Sequence, residues 1–434
     1  MKRIFYTTGF LFVISVALYA QSPKGKSGTF ALTNATIETV TKGVINNGTV
    51  IISEGKITAV GANIAVPQNT EVIDCKDKWI YPGLIDGGTN LGLSEVGSDQ
   101  RTRDYNEIGD VVPQMKALTA VNPNSVLIPV TRVSGVTTVI TAPSGGIFPG
   151  TAALINLHGY TPDQMYAGFD AVVLNFPATG RRSRYDRRTD EEIKKASDKA
   201  LKLLNDVWER AVQYYKLDSA TKGKSALEYY PEMEAMLPVV RGEKTLMIEV
   251  NASKDITEAL KWVKEKKIKK IILSGCREGW RVATEIVKAG IPVITGPILA
   301  LPSREYDRFD KAYANAGLMK KAGVKVALRT YGTENVRNLP FHAGFAASYG
   351  MGKEDALKAV TIVPAEIFGI SDHVGSIEVG KTANLFVSDG DPFETKTNII
   401  HVFIEGWKIP MVSRQTQLYN EFLKREPGLK KLEK

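Results

Sequence analysis

Few side chains suited to metal chemistry lie close together in this sequence. The four histidines are widely separated, at His158, His342, His373 and His401. Neutral imidazole is the commonest protein ligand for zinc and related metals, and an enzyme of that kind gathers several imidazoles at one pocket. These histidines therefore do not predict a zinc site of the usual kind.

Two side chains are the best candidates for acid–base catalysis. Glu249 ends a short apolar run with the pattern of a buried strand, and a carboxylate there can accept a proton or pair with a basic residue. His342 follows the last predicted strand of the central region, where a histidine can approach a pocket or can cap or pack a helix. The catalytic and the structural alternatives stay open for both residues.

A group of arginines follows another predicted strand. Arg181, Arg182 and Arg184 lie within four positions of one another, and the guanidinium group suits carboxylate or phosphate. We interpret them as candidate ligand-binding residues for an anionic ligand or for the acidic surface of a partner. The alternative is that acidic neighbours such as Asp186 and Asp190 neutralise them.

The central region must position these residues, and in it short apolar runs alternate with amphipathic segments. The predicted elements include strands at 135–141, 271–273, 293–295 and 326–328 and helices at 255–266, 277–289 and 306–322. Alternation at this spacing is typical of parallel β/α units. The length also suits a closed eightfold barrel. The predicted fold class is therefore α/β, with a TIM-type (β/α)8 barrel over residues 81–370.

The segments on either side of the barrel have a different pattern. Residues 28–80 and 371–415 contain short strand-length runs separated by turn residues, which favours antiparallel sheet. The simplest topology joins both segments in one small β-sandwich domain, with the barrel inserted between them. Residues 416–434 are predicted to form a charged tail.

Residues 1–20 have the pattern of a signal peptide. Basic residues precede an apolar run too short to span a bilayer, and Leu18-Tyr19-Ala20 suits a cleavage site. We expect cleavage near Ala20 and a periplasmic or secreted protein whose mature chain has no membrane span. The net charge of +9 forms no long basic block, so nucleic acid is not an expected partner.

The chain has two cysteines, Cys75 and Cys276. Two thiols so far apart in sequence define no disulfide framework. We interpret them as separate buried thiols, and a single disulfide in an oxidising compartment is the alternative.

Three stretches of the sequence resemble the amidohydrolase superfamily, in particular its imidazolonepropionase-like and related exported members. They are Pro82-Gly-Leu-Ile-Asp86, Ser134-Gly-Val-Thr-Thr-Val139 and a closing run from Ala359 to Val387 that includes Gly375-Ser-Ile-Glu-Val-Gly-Lys381. Their order and spacing agree with the family over almost the whole mature chain. The resemblance implies a barrel that hydrolyses carbon–nitrogen bonds with a divalent metal, and it implies dimers.

The same resemblance locates the residues expected to hold the metal. In the family these are histidines after the first, fifth and sixth strands, with a general-base aspartate after the eighth. The matching positions here are Gly88, Asn90, Glu249, Asn251, Ser274 and Tyr331. Glycine offers no ligand atom, and neutral asparagine and serine are weak ligands for zinc. We therefore expect no metal and no other cofactor.

The leading hypothesis is an exported amidohydrolase-like protein that has become a non-catalytic binding or partner subunit. It would act as a homodimer or beside an active amidohydrolase relative. The alternative is an active amidohydrolase with a rebuilt site, which uses Glu249 and His342, with zinc or another divalent metal, on a cyclic amide or small peptide. A purely structural role is a third possibility.

Overall fold

The computed structural model describes residues 25–97, 99–181, 186–221 and 228–425. The strands are β1 (Phe30–Glu38), β2 (Val44–Ser53), β3 (Lys56–Ala62), β4 (Glu71–Asp74), β5 (Trp79–Pro82), β6 (Leu84–Thr89), β7 (Val136–Thr141), β8 (Gly150–Asn156), β9 (Tyr166–Asn175), β10 (Thr245–Val250), β11 (Ile271–Gly275), β12 (Val293–Thr295), β13 (Val326–Leu328), β14 (Leu385–Ser388), β15 (Ile399–Ile404) and β16 (Trp407–Ile409). They form two sheets.

Helices surround the barrel sheet and end the described chain. They are α1 (Ala117–Ala120), α2 (Leu127–Arg132), α3 (Pro162–Met165), α4 (Asp190–Thr221), α5 (Pro231–Arg241), α6 (Ser253–Lys266), α7 (Ala283–Ala289), α8 (Lys311–Lys321), α9 (Leu339–Ala346), α10 (Lys353–Lys358), α11 (Ile362–Ile367) and α12 (Arg414–Phe422). Short 3-10 segments lie at Gln100–Thr102, Gly279–Arg281 and Thr333–Asn338, and a π turn lies at Ala347–Met351. No described helix is long and apolar enough to cross a membrane.

The barrel sheet runs in chain order from β6 to β13. Every residue of β6, β7 and β8 is buried, as expected of strands that are covered on both faces. The strands from β9 to β13 pair in parallel, with the helices between them. The predicted α/β class and barrel are confirmed.

Asp86 links the two ends of the barrel sheet. Its carboxylate accepts hydrogen bonds from the Thr330 hydroxyl at 2.5 Å and from the Thr330 N–H at 3.2 Å. Close by, the Tyr331 N–H donates to the Gly88 carbonyl at 3.0 Å. Burial raises the pKa of Asp86 to about 6, although hydrogen bonds from Thr330 and Gly88 act in the opposite direction. Asp86 thus ties β6 to the chain after β13.

One barrel strand departs from the predicted parallel order. β8 pairs antiparallel with both β7 and β9. Only residues 142–149 join β7 to β8, which is too short for the crossover that a parallel pair needs. The reversal places the carboxyl end of β8 at the base of the barrel, where the Asn156 amide donates to Glu405 at 3.0 Å.

The second sheet joins both ends of the described chain. Its order is β16-β15-β14-β5-β1-β2-β3, and β4 also pairs with β1. Phe30 and Phe403 meet in its core with ring centroids 5.2 Å apart. This sheet fits the small domain that was predicted from the two terminal segments.

Two predicted helices and the predicted tail differ from the structure. The predicted helix at 277–289 is interrupted at Val282, whose backbone leaves helical geometry. The predicted helix at 306–322 begins only at Lys311. The predicted tail contains α12, because Ser413 and Thr416 form a capping box at its start.

Both cysteines are free and buried. Burial raises the pKa of Cys75 to about 11 and raises that of Cys276 further. The interpretation as separate buried thiols agrees with this arrangement.

Candidate functional site

The residues predicted from the family positions converge at the carboxyl ends of the barrel strands. A cavity of about 340 Å³ is lined by Gly88, Asn90, Glu249, Ser274 and Tyr331, among others. Asn251 lines an adjoining cavity of about 770 Å³, which Glu249 and Tyr331 also line. The structure therefore brings all six positions to one end of the barrel.

Arg329 directly follows β13 and crosses this end of the barrel. Its Nη1 donates to Glu249 Oε2 at 2.6 Å, and its Nη2 donates to Glu249 Oε1 at 2.7 Å. The same Nη1 lies 2.7 Å from Ser274 Oγ. The Arg329 side chain is 6% exposed and that of Glu249 is 22% exposed. A nearly buried bidentate ion pair therefore joins β10 to β13, and such pairs combine charge with fixed geometry.

The ion pair controls the protonation of Glu249. Burial by itself would raise the pKa of this carboxyl group. The charge and hydrogen bonds of Arg329, with hydrogen bonds from Asn251 and Ser274, instead hold the pKa of Glu249 below its ordinary value. Glu249 is therefore a stable carboxylate and a weak base.

Gly88 leaves room for the arginine. A Cβ atom at this position would lie 3.2 Å from Arg329 Cδ, which is tighter than usual van der Waals contact. A histidine in place of Gly88 would therefore compete with the Arg329 side chain for space. The absence of a side chain at Gly88 thus provides the space that the Arg329 side chain occupies.

The remaining polar residues of the site contact one another. Asn90 Oδ1 accepts from the Thr333 hydroxyl at 2.7 Å. The Asn251 amide donates to Glu249 Oε1 at 3.1 Å, while Asn251 Oδ1 is buried and has no hydrogen-bond partner among the described residues. One acceptor beside the cavities is therefore left unsatisfied.

Tyr331 lies between the two cavities in an unusual conformation. Its φ of 71° is in the left-handed region, which is costly for a bulky residue and is found mainly where the surroundings enforce it. The Arg329 Cζ lies 5.0 Å from the ring centroid, within the range of a cation–π contact. Because the side chain is 52% exposed, a large part of the ring stays open to solvent and to ligands.

The family resemblance implies a divalent metal, and the described residues do not fit one. They contain no group of three histidine, cysteine, aspartate or glutamate side chains that could hold a metal ion. Glu249 is the only carboxylate among the six positions expected to hold the metal, and both of its oxygens accept hydrogen bonds from Arg329. A divalent cation beside that guanidinium would be repelled by it.

His342 lies apart from this site. It is only 2% exposed and does not line either of the two cavities. Its Nδ1 accepts a hydrogen bond from the Ile298 N–H at 3.1 Å, and burial lowers its pKa to about 4. His342 therefore supports the chain after β12 in its neutral form.

The arginine group is only partly described. Arg182 and Arg184 lie outside the described residues. Arg181 lines the larger cavity, but its guanidinium donates to the Asp186 carbonyl at 2.8 Å and to Asp190 at 2.9 Å. Its charge is thus partly matched by the acidic neighbours that were the predicted alternative.

Sequence reasoning missed Arg329, which has the central place in the site. The signal was a charged residue directly after the apolar run 326–328. A charge at a buried strand end needs a partner. Glu249 ends another barrel strand and supplies it.

Comparison with known proteins agrees with this architecture. Residues 79–408 match the Amidohydrolase family. The imidazolonepropionase of Fusobacterium nucleatum is 26% identical over 383 residues, which cover 79% of this chain and 85% of that protein. The imidazolonepropionase of Mesorhizobium japonicum is 31% identical over 116 residues, and that match spans only 28% of its length.

A solved structure is similar over nearly the whole fold. The amidohydrolase from Thermotoga maritima MSB8 superposes with a TM-score of 0.78 at 25% sequence identity, covering 89% of this chain and 100% of that one. Together with the family match over residues 79–408, this shows that the chain belongs to the amidohydrolase family.

Proposed function

We propose that this protein is a binding or partner subunit that keeps the amidohydrolase barrel without metal-dependent hydrolysis. The observation that carries the proposal is the bidentate ion pair between Arg329 and Glu249. Its guanidinium provides a fixed positive charge at the end of the barrel where the family resemblance expects a metal. The strand ends are then held together by protein groups alone.

The chemistry of the pair argues against hydrolysis at this place. Metal-assisted hydrolysis needs a Lewis acid to activate water and a base to take its proton. Glu249 has both oxygens bound to a cation and a lowered pKa, so it accepts protons poorly at neutral pH. Tyr331 occupies the position of the family's general-base aspartate, so a carboxylate base is missing there.

The cavities themselves suit a small ligand. The cavity of about 340 Å³ is within the range of small-molecule pockets, and its lining combines Asn90, Ser144 and Asn175 with apolar side chains. Asn251 lines the adjoining larger cavity, and its Oδ1, which has no hydrogen-bond partner among the described residues, would accept a hydrogen bond from a ligand N–H group that reaches it there. These features support binding, as distinct from a purely structural role.

Elemental analysis of the protein, purified without chelators and without a histidine tag, tests the proposal. We expect well under one equivalent of zinc, manganese or iron, and no stabilisation in a thermal melt after zinc is added. A stoichiometric metal that is lost in Glu249→Gln would overturn the proposal, because the carboxylate would then be a ligand.

An active hydrolase with a rebuilt site is the second candidate. Glu249 lines both cavities and is partly exposed, which is the observation in its favour. Since His342 lines neither cavity, this candidate depends on Glu249 alone. It predicts turnover of a cyclic amide or small peptide that Glu249→Gln abolishes while Lys358→Gln, a distant surface change, leaves it intact.

Export and association belong to the same proposal. The proposed signal peptide lies outside the described residues. Cell fractionation with N-terminal sequencing tests it, and a mature chain that begins near Gln21 in the periplasm or medium is expected. Sedimentation of the purified protein, alone and with an active amidohydrolase from the same cells, separates a homodimer from a mixed assembly.

A further inference from the structure

A second large cleft lies at the opposite end of the barrel from Arg329. It has a volume of about 1170 Å³ and is bordered by the amino ends of the strands, including Gly168, Thr245 and Ile271. We call it the basal cleft. The amino-terminal face of such barrels usually serves stability, so an open cleft of this size there needs its own explanation.

The rim of the basal cleft is strongly basic. Seven lysines and four acidic residues are among the described residues that line it. Lys264, Lys267, Lys269 and Lys288 are exposed, and none of them forms a salt bridge with another described residue. The unmatched charges come from α6, from the turn before β11 and from the end of α7. They are therefore spread around the rim and do not converge on one point.

The floor of the basal cleft is apolar. Phe169 and Phe368 contact each other there with ring centroids 4.8 Å apart. Leu260, Ile268 and Ile271 also line it and are only partly buried. Apolar surface left open beneath a charged rim is typical of a protein interaction site.

The apolar floor and the basic rim of the basal cleft together indicate which kind of ligand it can bind. Several separate lysines suit several anionic groups, and the apolar floor suits aliphatic or aromatic side chains between them. A flat lipid bilayer does not enter a concave cleft, and a nucleic acid backbone has no apolar side chains for the floor. We propose that the basal cleft binds a segment of a partner protein in which acidic and apolar residues are interleaved.

This inference deepens the proposed function and rests on it, because it takes a protein as the partner. The two are tested separately. Metal content reports on the end of the barrel at Arg329, whereas peptide binding reports on the basal cleft. A failure of the one can therefore be distinguished from a failure of the other.

The test uses the full chain and a short fluorescent peptide in which glutamate and leucine alternate, with anisotropy as the readout. We expect saturable binding that weakens at least about tenfold in Lys264→Glu/Lys267→Glu, because the rim charges are reversed. The matched control Lys199→Glu/Lys202→Glu carries the same charge change on exposed positions of α4 and should bind as the wild type does.

Two further peptides separate the contribution of charge from that of the floor. We expect a peptide in which glutamate and serine alternate, and one in which lysine and leucine alternate, each to bind at least about tenfold more weakly. Equal binding of the glutamate–serine peptide would mean that the cleft only attracts anions, and would overturn the proposal. So would equal loss of binding in the control variant, or displacement of the peptide by vesicles of anionic phospholipid.

Discussion

The guanidinium of Arg329 and the carboxylate of Glu249 form two parallel hydrogen bonds, of 2.6 and 2.7 Å, between the ends of β13 and β10. These strands are separated by β11 and β12 in the sheet. The pair therefore spans the barrel opening and does not only join neighbouring strands. Removal of the ion pair should therefore change both the free energy of unfolding and the shape of the cavities.

Arg329→Met tests the stability that the pair provides. Without the guanidinium the Glu249 carboxylate is left largely buried and uncompensated, so we expect the free energy of unfolding to fall by about 3 kcal/mol. The double variant Arg329→Met/Glu249→Gln should recover most of that loss, because no unpaired charge is left. Urea unfolding measures both.

Lys358→Met is the control for this pair. It breaks the exposed ion pair with Glu354 and should cost no more than about 0.5 kcal/mol. If Arg329→Met is as stable as this control, the buried ion pair makes no measurable contribution to the free energy of unfolding.

The buried His342 should make the protein sensitive to acid. Its pKa is about 4 in the fold, below the value of 6.5 in the unfolded chain, because burial disfavours the charged ring. The neutral ring therefore contributes stability that is complete above pH 6.5 and is lost as the pH falls toward 4. The expected loss, relative to His342→Asn, is on the order of 2–3 kcal/mol in urea unfolding. A constant difference between the two proteins across this range would contradict the assignment.

Asp86 should act in the opposite direction over nearly the same range. Its pKa is about 6 in the fold against 3.8 in the unfolded chain, so the folded protein binds the proton more tightly. The stability that Asp86 contributes is therefore fully present below about pH 4 and declines as the pH rises through 6. Unfolding of the wild type and Asp86→Asn between these limits should show the wild-type advantage shrink by about 2–3 kcal/mol. An advantage that grows with pH would mean that Asp86 is ionised in the fold throughout.

Restoring histidines should not restore a metal site while Arg329 is present. Gly88→His/Asn90→His supplies two imidazoles, but the guanidinium repels a divalent cation, at a cost on the order of several kcal/mol, and the Arg329 side chain crowds a Cβ atom at position 88. We expect zinc affinity no higher than in the wild type, measured by competition with a coloured chelator. Adding Arg329→Gly should raise it at least about tenfold, with circular dichroism as the check on folding. Tight zinc binding by the double variant alone would show that Arg329 does not exclude the metal.

The two thiols should be unreactive in the folded protein. Cys75 and Cys276 are buried, and desolvation keeps both protonated at neutral pH. A disulfide-exchange reagent such as dithionitrobenzoate should therefore react with about two thiols only after unfolding. Absence of thiols from the denatured, unreduced protein would instead indicate a disulfide.

The sequence predicted the fold well because the strand runs are strongly apolar. The limits 293–295 and 326–328 agree with β12 and β13, and the pairing of both terminal segments follows from their shared turn-rich pattern. The reversal of β8 was missed, because no strand was predicted at 150–156 and the short connection at 142–149 was therefore not recognised. The position of His158 follows from that reversal, because it lies beside Trp407 at the base of the barrel.

The positions of the candidate site were predicted, and pairing of Glu249 with a basic residue was one of the two alternatives, but its partner was not identified. Gly88, Glu249 and Ser274 were located by the family resemblance, and each reaches the same cavity. Their meaning depended on Arg329, which becomes a neighbour of Glu249 only when β13 and β10 lie in one barrel. Pairing between residues 80 positions apart depends on the tertiary fold, so no local sequence pattern predicts it.

The pairing of β5 with β14 also affects the order in which the chain can fold during its synthesis. Pro82 opposes Leu385, so the strand that leads into the barrel pairs with a strand that is synthesised only after the whole barrel. A chain that stops before β14 leaves the edge of β5 unpaired, and open strand edges invite aggregation. The small sheet is therefore complete only in a chain that extends past the barrel to β14, because β14 covers the edge of the strand that leads into the barrel.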